Sequence, residues 1–139
     1  MDQMSKIHPK PAIQPVVVTD NTAQVSAIID RLGYDSLTFL IVTGTLSDAD
    51  ATATVLVEDG DNSSLTDAAA VADGNLVGTE ALAAFTYADD GECRKIGYIG
   101  GKRYVRLTIT PANNTGNIPV AAIALLGNPE NGIPANPPQ

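Results

Sequence analysis

Apolar and polar positions alternate along most of this chain with the period of β-structure. The run PVVVTD at 15–20 is β-branched and closes in turn formers, and VSAIID at 25–30 leads into the turn-like RLGYDS. LTFLIVTG at 37–44 is apolar at nearly every position, the pattern of a strand covered on both faces. ATATVLVEDG at 51–60 alternates instead. Ala53, Val55 and Val57 point one way, Thr52, Thr54 and Glu58 the other, and the run ends in the loop EDGDNSS. One stretch has helical features: in SSLTDAAAVADG, Ser64 and Asp67 have capping-box spacing, alanines fill the body and Gly74 can close the end. At roughly ten residues such a helix must lean on a sheet to persist. IPVAAIALLGNP at 118–129 suits strand or helix, and Pro119 at its start with Gly127 near its end favours a strand. About six to eight short strands with one small helix predict an all-β domain, a jelly roll or β-sandwich.

The segment YIGGKRYVRLTIT at 98–110 stands apart. A Gly-Gly pair between two β-type runs is a signal for a two-residue hairpin. Counting outward from Gly100 and Gly101 pairs Tyr98 with Arg103, Gly97 with Tyr104, Ile96 with Val105 and Lys95 with Arg106. One face of this hairpin carries Ile96, Tyr98, Val105, Leu107 and Ile109 and belongs to the core. The other carries Lys95, Lys102, Tyr104 and Arg106.

Charge makes that second face conspicuous. The chain has 139 residues, sixteen carboxylates, eight Lys and Arg, and a net charge of -8. From Asp20 to Glu92 there are fourteen carboxylates and a single cation, Arg31, whereas five of the eight cations fall between Arg94 and Arg106. Like charges directly across a strand pair cost up to roughly 1 kcal/mol, so Lys95 opposite Arg106 calls for neutralisation. An acidic loop of the same chain or an acidic surface of a partner can supply it. The acidic total argues against nonspecific nucleic-acid binding.

The ends differ from the middle, with seven of nine prolines in the first fifteen and last eleven residues. Proline fixes an extended backbone and removes an amide donor. The division expected is an N-terminal arm at 1–15, a jelly-roll domain at 16–127 and a C-terminal arm at 128–139. The arms are either disordered or laid along a partner. Aromatic residues are 4% of the chain and tryptophan is missing, so the core must be aliphatic. No apolar run approaches the ~20 residues of a membrane span, and no charged-then-apolar leader opens the chain, which suits a soluble protein.

Candidate chemistry is thin. GYIGGKR lacks the glycine spacing and the following Ser or Thr of a phosphate-binding loop. The carboxylates of DAD at 48–50 and EDGD at 58–61 lack the ligand alternation of a calcium loop and suit solvated turns. The single histidine, His8, lies in the proline-rich tail. The single cysteine, Cys93, precludes an intrachain disulfide and, with His8, falls short of a zinc site. Arg94 and Lys95 beside Cys93 favour its thiolate, though a lone strand cysteine is more often plain filling. The expectation is no enzyme, no cofactor and no metal.

Three blocks carry a resemblance: GYDSLTFLIVTGTLSDADATATVLVEDGD, then LTDAAAVADGNLVGT, then KIGYIGGKRYVRLTITP. Over roughly residues 25 to 127 the chain resembles the small proteins encoded beside major capsid proteins in tailed phages and prophages, the jelly-roll cement and decoration proteins of podoviruses among them. The resemblance implies a structural virion protein on the capsid outer surface, made in the host cytoplasm. It also implies that the protein cements neighbouring major capsid subunits and pairs with itself as a homodimer. Lys95, Lys102, Arg103, Tyr104 and Arg106 are the interface candidates, since Arg and Tyr are favoured at interface centres. Two alternatives stay open. One is a minor tail or head–tail joining protein. The other is a glycan-binding jelly-roll module, which the shortage of aromatic side chains disfavours.

Overall fold

The computed structural model describes residues 2–137, and alternating side chains in its strands build two antiparallel sheets around one aliphatic core. In chain order the strands are β1 (Ile7–Val18), β2 (Gln24–Val25), β3 (Ile29–Asp30), β4 (Tyr34–Thr43), β5 (Thr52–Gly60), β6 (Ala69–Ala70), β7 (Leu76–Val77), β8 (Phe85–Thr86), β9 (Cys93–Tyr98), β10 (Tyr104–Ala112) and β11 (Ile118–Pro129). One short helix, α1 (Glu80–Ala83), lies between β7 and β8, and the side chain of Thr79 caps it by accepting from the Leu82 amide. Five strands form one sheet in the order β1-β11-β4-β9-β7. The second sheet is centred on β10 and β5, with β2, β3, β6 and β8 paired along their flanks. This is the β-sandwich of jelly-roll type expected from the alternation.

The predicted inward positions are inward. Ala53, Val55 and Val57 of β5 are buried, as are Ile96, Tyr98, Val105, Leu107 and Ile109. With Phe39, Ile41, Ile118, Ala124 and Leu126 they form one continuous apolar cluster between the sheets. The segment 118–129 is strand, paired with β4 from Val120 opposite Thr43 to Pro129 opposite Tyr34.

The Gly-Gly hairpin does not form. β9 pairs with β4 and β7 in the first sheet, whereas β10 pairs with β5 in the second, so residues 99–103 cross from one sheet to the other. Lys95 is opposite Leu40, and Arg106 is opposite Glu58. Gly97 faces Thr38 and Val77, not Tyr104. Partly buried polar groups bonding the crossing segment take the place of the hairpin turn. The Tyr98 hydroxyl donates to Asp59 Oδ2 at 2.6 Å and accepts from the Lys102 amide at 3.0 Å. The Arg31 guanidinium donates to the carbonyls of Gly100 and Lys102 and lies 4.8 Å from the Tyr98 ring centroid. Glycine is needed at 100 for closeness, because a Cβ there would sit 2.5 Å from the Tyr98 hydroxyl.

The predicted helix at 63–74 is also replaced. Asp67, placed by spacing in a capping box, instead accepts from the amides of Asp61 and Asn62. Leu65 adopts φ of 51° and is buried, Ala69 and Ala70 pair with β5, and the Val71 amide donates to the Val57 carbonyl. The edge of β5 takes up this backbone at Val57, Glu58 and Asp59, whereas a helix of roughly ten residues is marginal on its own.

The proline-rich N-terminal stretch runs into the sheet: residues 7–15 belong to β1, paired with β11 from Ile7 opposite Gly127 to Val18 opposite Ile118. β1 is the outermost strand, and Pro9, Pro11 and Pro15 remove donors from its free edge, the standard protection against edge-to-edge pairing. His8 is buried there and stacks on Tyr34 at 5.4 Å. Ile133 to Asn136 line a groove with Met4, Ser5, Ile7 and Pro9, so the described parts of both ends meet at one end of β1.

Two predictions follow from this scaffold. Burial and the bond to Asp59 push the Tyr98 hydroxyl up to about 12. A group whose folded pKa is raised stabilises the fold below its unfolded value near 10, and that stability is lost as pH climbs toward 12. Ultraviolet titration should show one of the four tyrosines ionising late, together with alkaline unfolding. Tyr98→Phe should abolish that late step and cost about 1–3 kcal/mol in chemical denaturation, because it strands the Asp59 carboxylate and the Lys102 amide. At the acid end, the Asp61 and Asn62 amides hold the Asp67 carboxyl below the usual carboxylate range. Its contribution is present above the unfolded value near 3.8 and lost as pH falls below it. Asp67→Ala should lower the denaturation midpoint at pH 7 and flatten its fall below pH 4.

Candidate interaction surfaces

Each sheet has one face in the core and one toward solvent, and the two solvent faces differ. On the second sheet, cross-strand rows on the outer face pair Arg106 with Glu58, Thr108 with Leu56 and Thr110 with Thr54. That is the polar exterior expected of a half-buried antiparallel sheet.

The outer face of the five-stranded sheet is apolar. Register places Ala121, Val42 and Cys93 in one row across β11, β4 and β9. The next row is Pro11, Ile123, Leu40 and Lys95, and the third is Pro9, Leu125, Thr38, Gly97 and Val77. Val17, Val42 and Ile123 are 54%, 44% and 43% exposed. Strand spacing and rise make this face about 400 Å². Contiguous apolar surface of that size matches the largest patch on a typical monomer, and such patches are often functional. The LTFLIVTG run was expected to be covered on both faces. The chain itself covers only the inner one.

The five candidates from the sequence do not form one patch. Lys95 lies on the apolar outer face of the five-stranded sheet, Lys102 and Arg103 lie in the crossing segment, and Tyr104 and Arg106 lie on the outer face of the second sheet. Three of them have carboxylate partners within the chain. Lys102 pairs with Asp61 at 2.6 Å, Arg103 with Asp30 at 2.8 Å, and Arg106 with Glu58 at 3.0 Å. The Arg103 guanidinium also sits 5.0 Å from the Tyr104 ring centroid. Its hydrogen bonds hold the Asp30 carboxyl below the usual range, and the Asp61 carboxylate raises the Lys102 ammonium. The exposed pairs of Lys102 and Arg103 contribute little individually, but with the half-buried Arg106–Glu58 pair they account for most of the charge that the sequence left unexplained. Arg94, a further cation of this stretch, pairs with Asp89 and Glu92. Lys95 makes no ion pair among the described residues.

Two concavities lie on this same sheet. One, of about 410 Å³, is lined by Pro15, Val17, Val42, Gly44, Pro119 and Ala121. The other, of about 610 Å³, lies over β9 between Thr38, Val77, Leu82, Lys95, Gly97 and Ile99. Neither is lined by a constellation for acid–base or nucleophilic chemistry, and among the described residues no three His, Cys, Asp or Glu side chains cluster as metal ligands. Cys93 is a free, exposed thiol on the apolar face. Sequence reasoning had the signal for this surface in the apolar outward positions of 37–44 and 118–127, but assigned a covered environment to the first run and read only a strand from the second.

No protein-family model and no curated protein sequence matches the chain. Solved structures do resemble it in fold. The PBSX exported protein XepA superposes with a TM-score of 0.53 at 16% identity, covering 92% of this chain and 39% of that one. The N-terminal CBM22-1 and GH10 modules of Clostridium thermocellum endo-1,4-beta-D-xylanase 10B, complexed with xylohexaose, superpose with a TM-score of 0.51 at 11% identity, covering 96% and 28%. The capsid of Ralstonia phage GP4 gives a TM-score of 0.47 at 10% identity, covering 86% and 84%. The chain thus spans well under two thirds of the length of the first two, and at these identities the likeness is one of fold alone.

Proposed function

We propose that this protein is a non-enzymatic structural component of a tailed-phage virion, which binds the outside of the capsid and cements neighbouring major capsid subunits. The observation that carries this reading is the apolar outer face of the five-stranded sheet, a contiguous patch of the size that is often functional on a monomer. The three sequence blocks that resemble cement and decoration proteins supply the context, and the rigid two-sheet sandwich suits a part that bears load without moving.

Self-pairing belongs to the same proposal. Pro9, Pro11 and Pro15 block extension of the sheet at β1, which favours a face-to-face approach by a second copy. The half of the face formed by β1 and β11 carries no charge in its outward rows and suits such a contact. Even two whole faces of about 400 Å² bury only about 800 Å², below the range of stable specific interfaces, so self-pairing through this face is weak on its own. On a symmetric shell weak contacts of this size act together, and avidity supplies what each lacks. A glycan-binding role lacks its usual platform, because no aromatic ring lies in the outward rows of that sheet.

Quantitation of this protein in purified particles, relative to the major capsid protein, tests the proposal. Abundance within about twofold of the capsid protein is expected of a shell-covering cement. A handful of copies per particle would transfer the protein to the tail or head–tail joint, and absence from particles would remove the virion reading altogether. Ile123→Asp, at an outward and half-exposed position, should leave thermal stability nearly unchanged and lower occupancy on capsids at least tenfold.

A further inference from the structure

Resting on the virion reading, we infer that the groove over β9 receives a short segment of the shell protein in which a carboxylate is flanked by apolar side chains. The groove, about 610 Å³, has three exposed aliphatic side chains on its rim from three different elements: Val77 of β7, Leu82 of α1 and Ile99 of the crossing segment. Gly97, without a side chain, lets its floor drop between Thr38 and Val77. Lys95 projects into the same space. The volume accommodates a few side chains, and the aliphatic rim with no exposed ring suits polypeptide rather than a stacked sugar or base.

Charge decides what that segment must carry. The chain has twice as many carboxylates as cations, and Arg94, Lys102, Arg103 and Arg106, the neighbours of Lys95 in sequence, all have carboxylate partners of the same chain. Lys95 has none; Leu40 lies opposite it, and the groove it lines contains Val77, Leu82 and Ile99 with Thr38 and the already paired Arg94 but no carboxylate. An ammonium buried by an apolar partner without a counter-charge is strongly unfavourable, so an occupant of this groove must bring one. A second copy docked face to face cannot, because the three outward rows of the sheet contain no carboxylate. The complement therefore comes from a different chain. With a net charge of -8 the protein repels acidic polypeptides at long range, so Lys95 sets register at contact and does not steer the approach.

The test uses capsids of the source phage stripped of this protein, with rebinding of the full chain followed by co-sedimentation. Wild-type protein should rebind. Lys95→Glu and Leu82→Asp should each weaken rebinding at least tenfold, Lys95→Arg should stay within about threefold of wild type, and Lys102→Glu, on a side chain already paired with Asp61, should stay within about twofold. All three positions are exposed, and unchanged melting curves would confirm that the fold is intact. Rebinding of Lys95→Glu and Leu82→Asp at wild-type strength would overturn the groove inference and leave the virion reading standing. Failure of the wild-type protein to rebind would overturn both.

Discussion

A core only one side chain deep from each sheet is the constraint on which this structure depends. The chain has few aromatic residues and no tryptophan, so that layer is filled by Val, Ile, Leu and Ala with Phe39, Phe85 and Tyr98 as its largest members. Every strand must therefore place alternate residues inward with little tolerance for a slipped register. The outward residues are under no such demand. On the second sheet they became Thr, Arg and Glu, as water prefers. On the first they remained Val, Ile, Leu and Pro, which water does not reward. That asymmetry is the feature a function has to explain.

Polar chemistry in this molecule mainly serves to join the layers. Tyr98, Asp59 and Arg31 tie the segment 99–103 to both sheets, and the basic residues around it are largely matched by the acidic ones that dominate the middle of the chain. A cluster that suggests a binding patch in sequence is thereby mostly used up in holding β10 against β5 and β3. Lys95 is the exception, and it stands on the apolar side.

The alternation of β5 and the apolar runs of β4 and β11 made the sandwich legible, because side-chain period in a strand depends only on local geometry. Two failures came from treating non-local pairing as local. Gly100 and Gly101 look like a turn, but glycine at 100 answers to the ring of Tyr98, and the partners of β9 and β10 lie dozens of residues away. The alanines of 68–70 suit a helix by propensity, and the free edge of β5 overrode it. The prolines of 9–15 were taken for an arm, although on an edge strand they serve equally well where no partner needs the donor. The candidate surface was half legible: the apolar outward positions were visible, while the sheet that aligns them into one face came only from the topology.

Side-chain footprinting by hydroxyl radicals, comparing free protein with protein bound to capsids, addresses the central claim most directly. The account predicts that Leu40, Val42 and Ile123 lose most of their reactivity on the shell while Leu56, on the outer face of the opposite sheet, keeps its own. Protection of Leu56 with Leu40, Val42 and Ile123 unchanged would show that the protein meets its partner through the polar sheet, and would contradict the account.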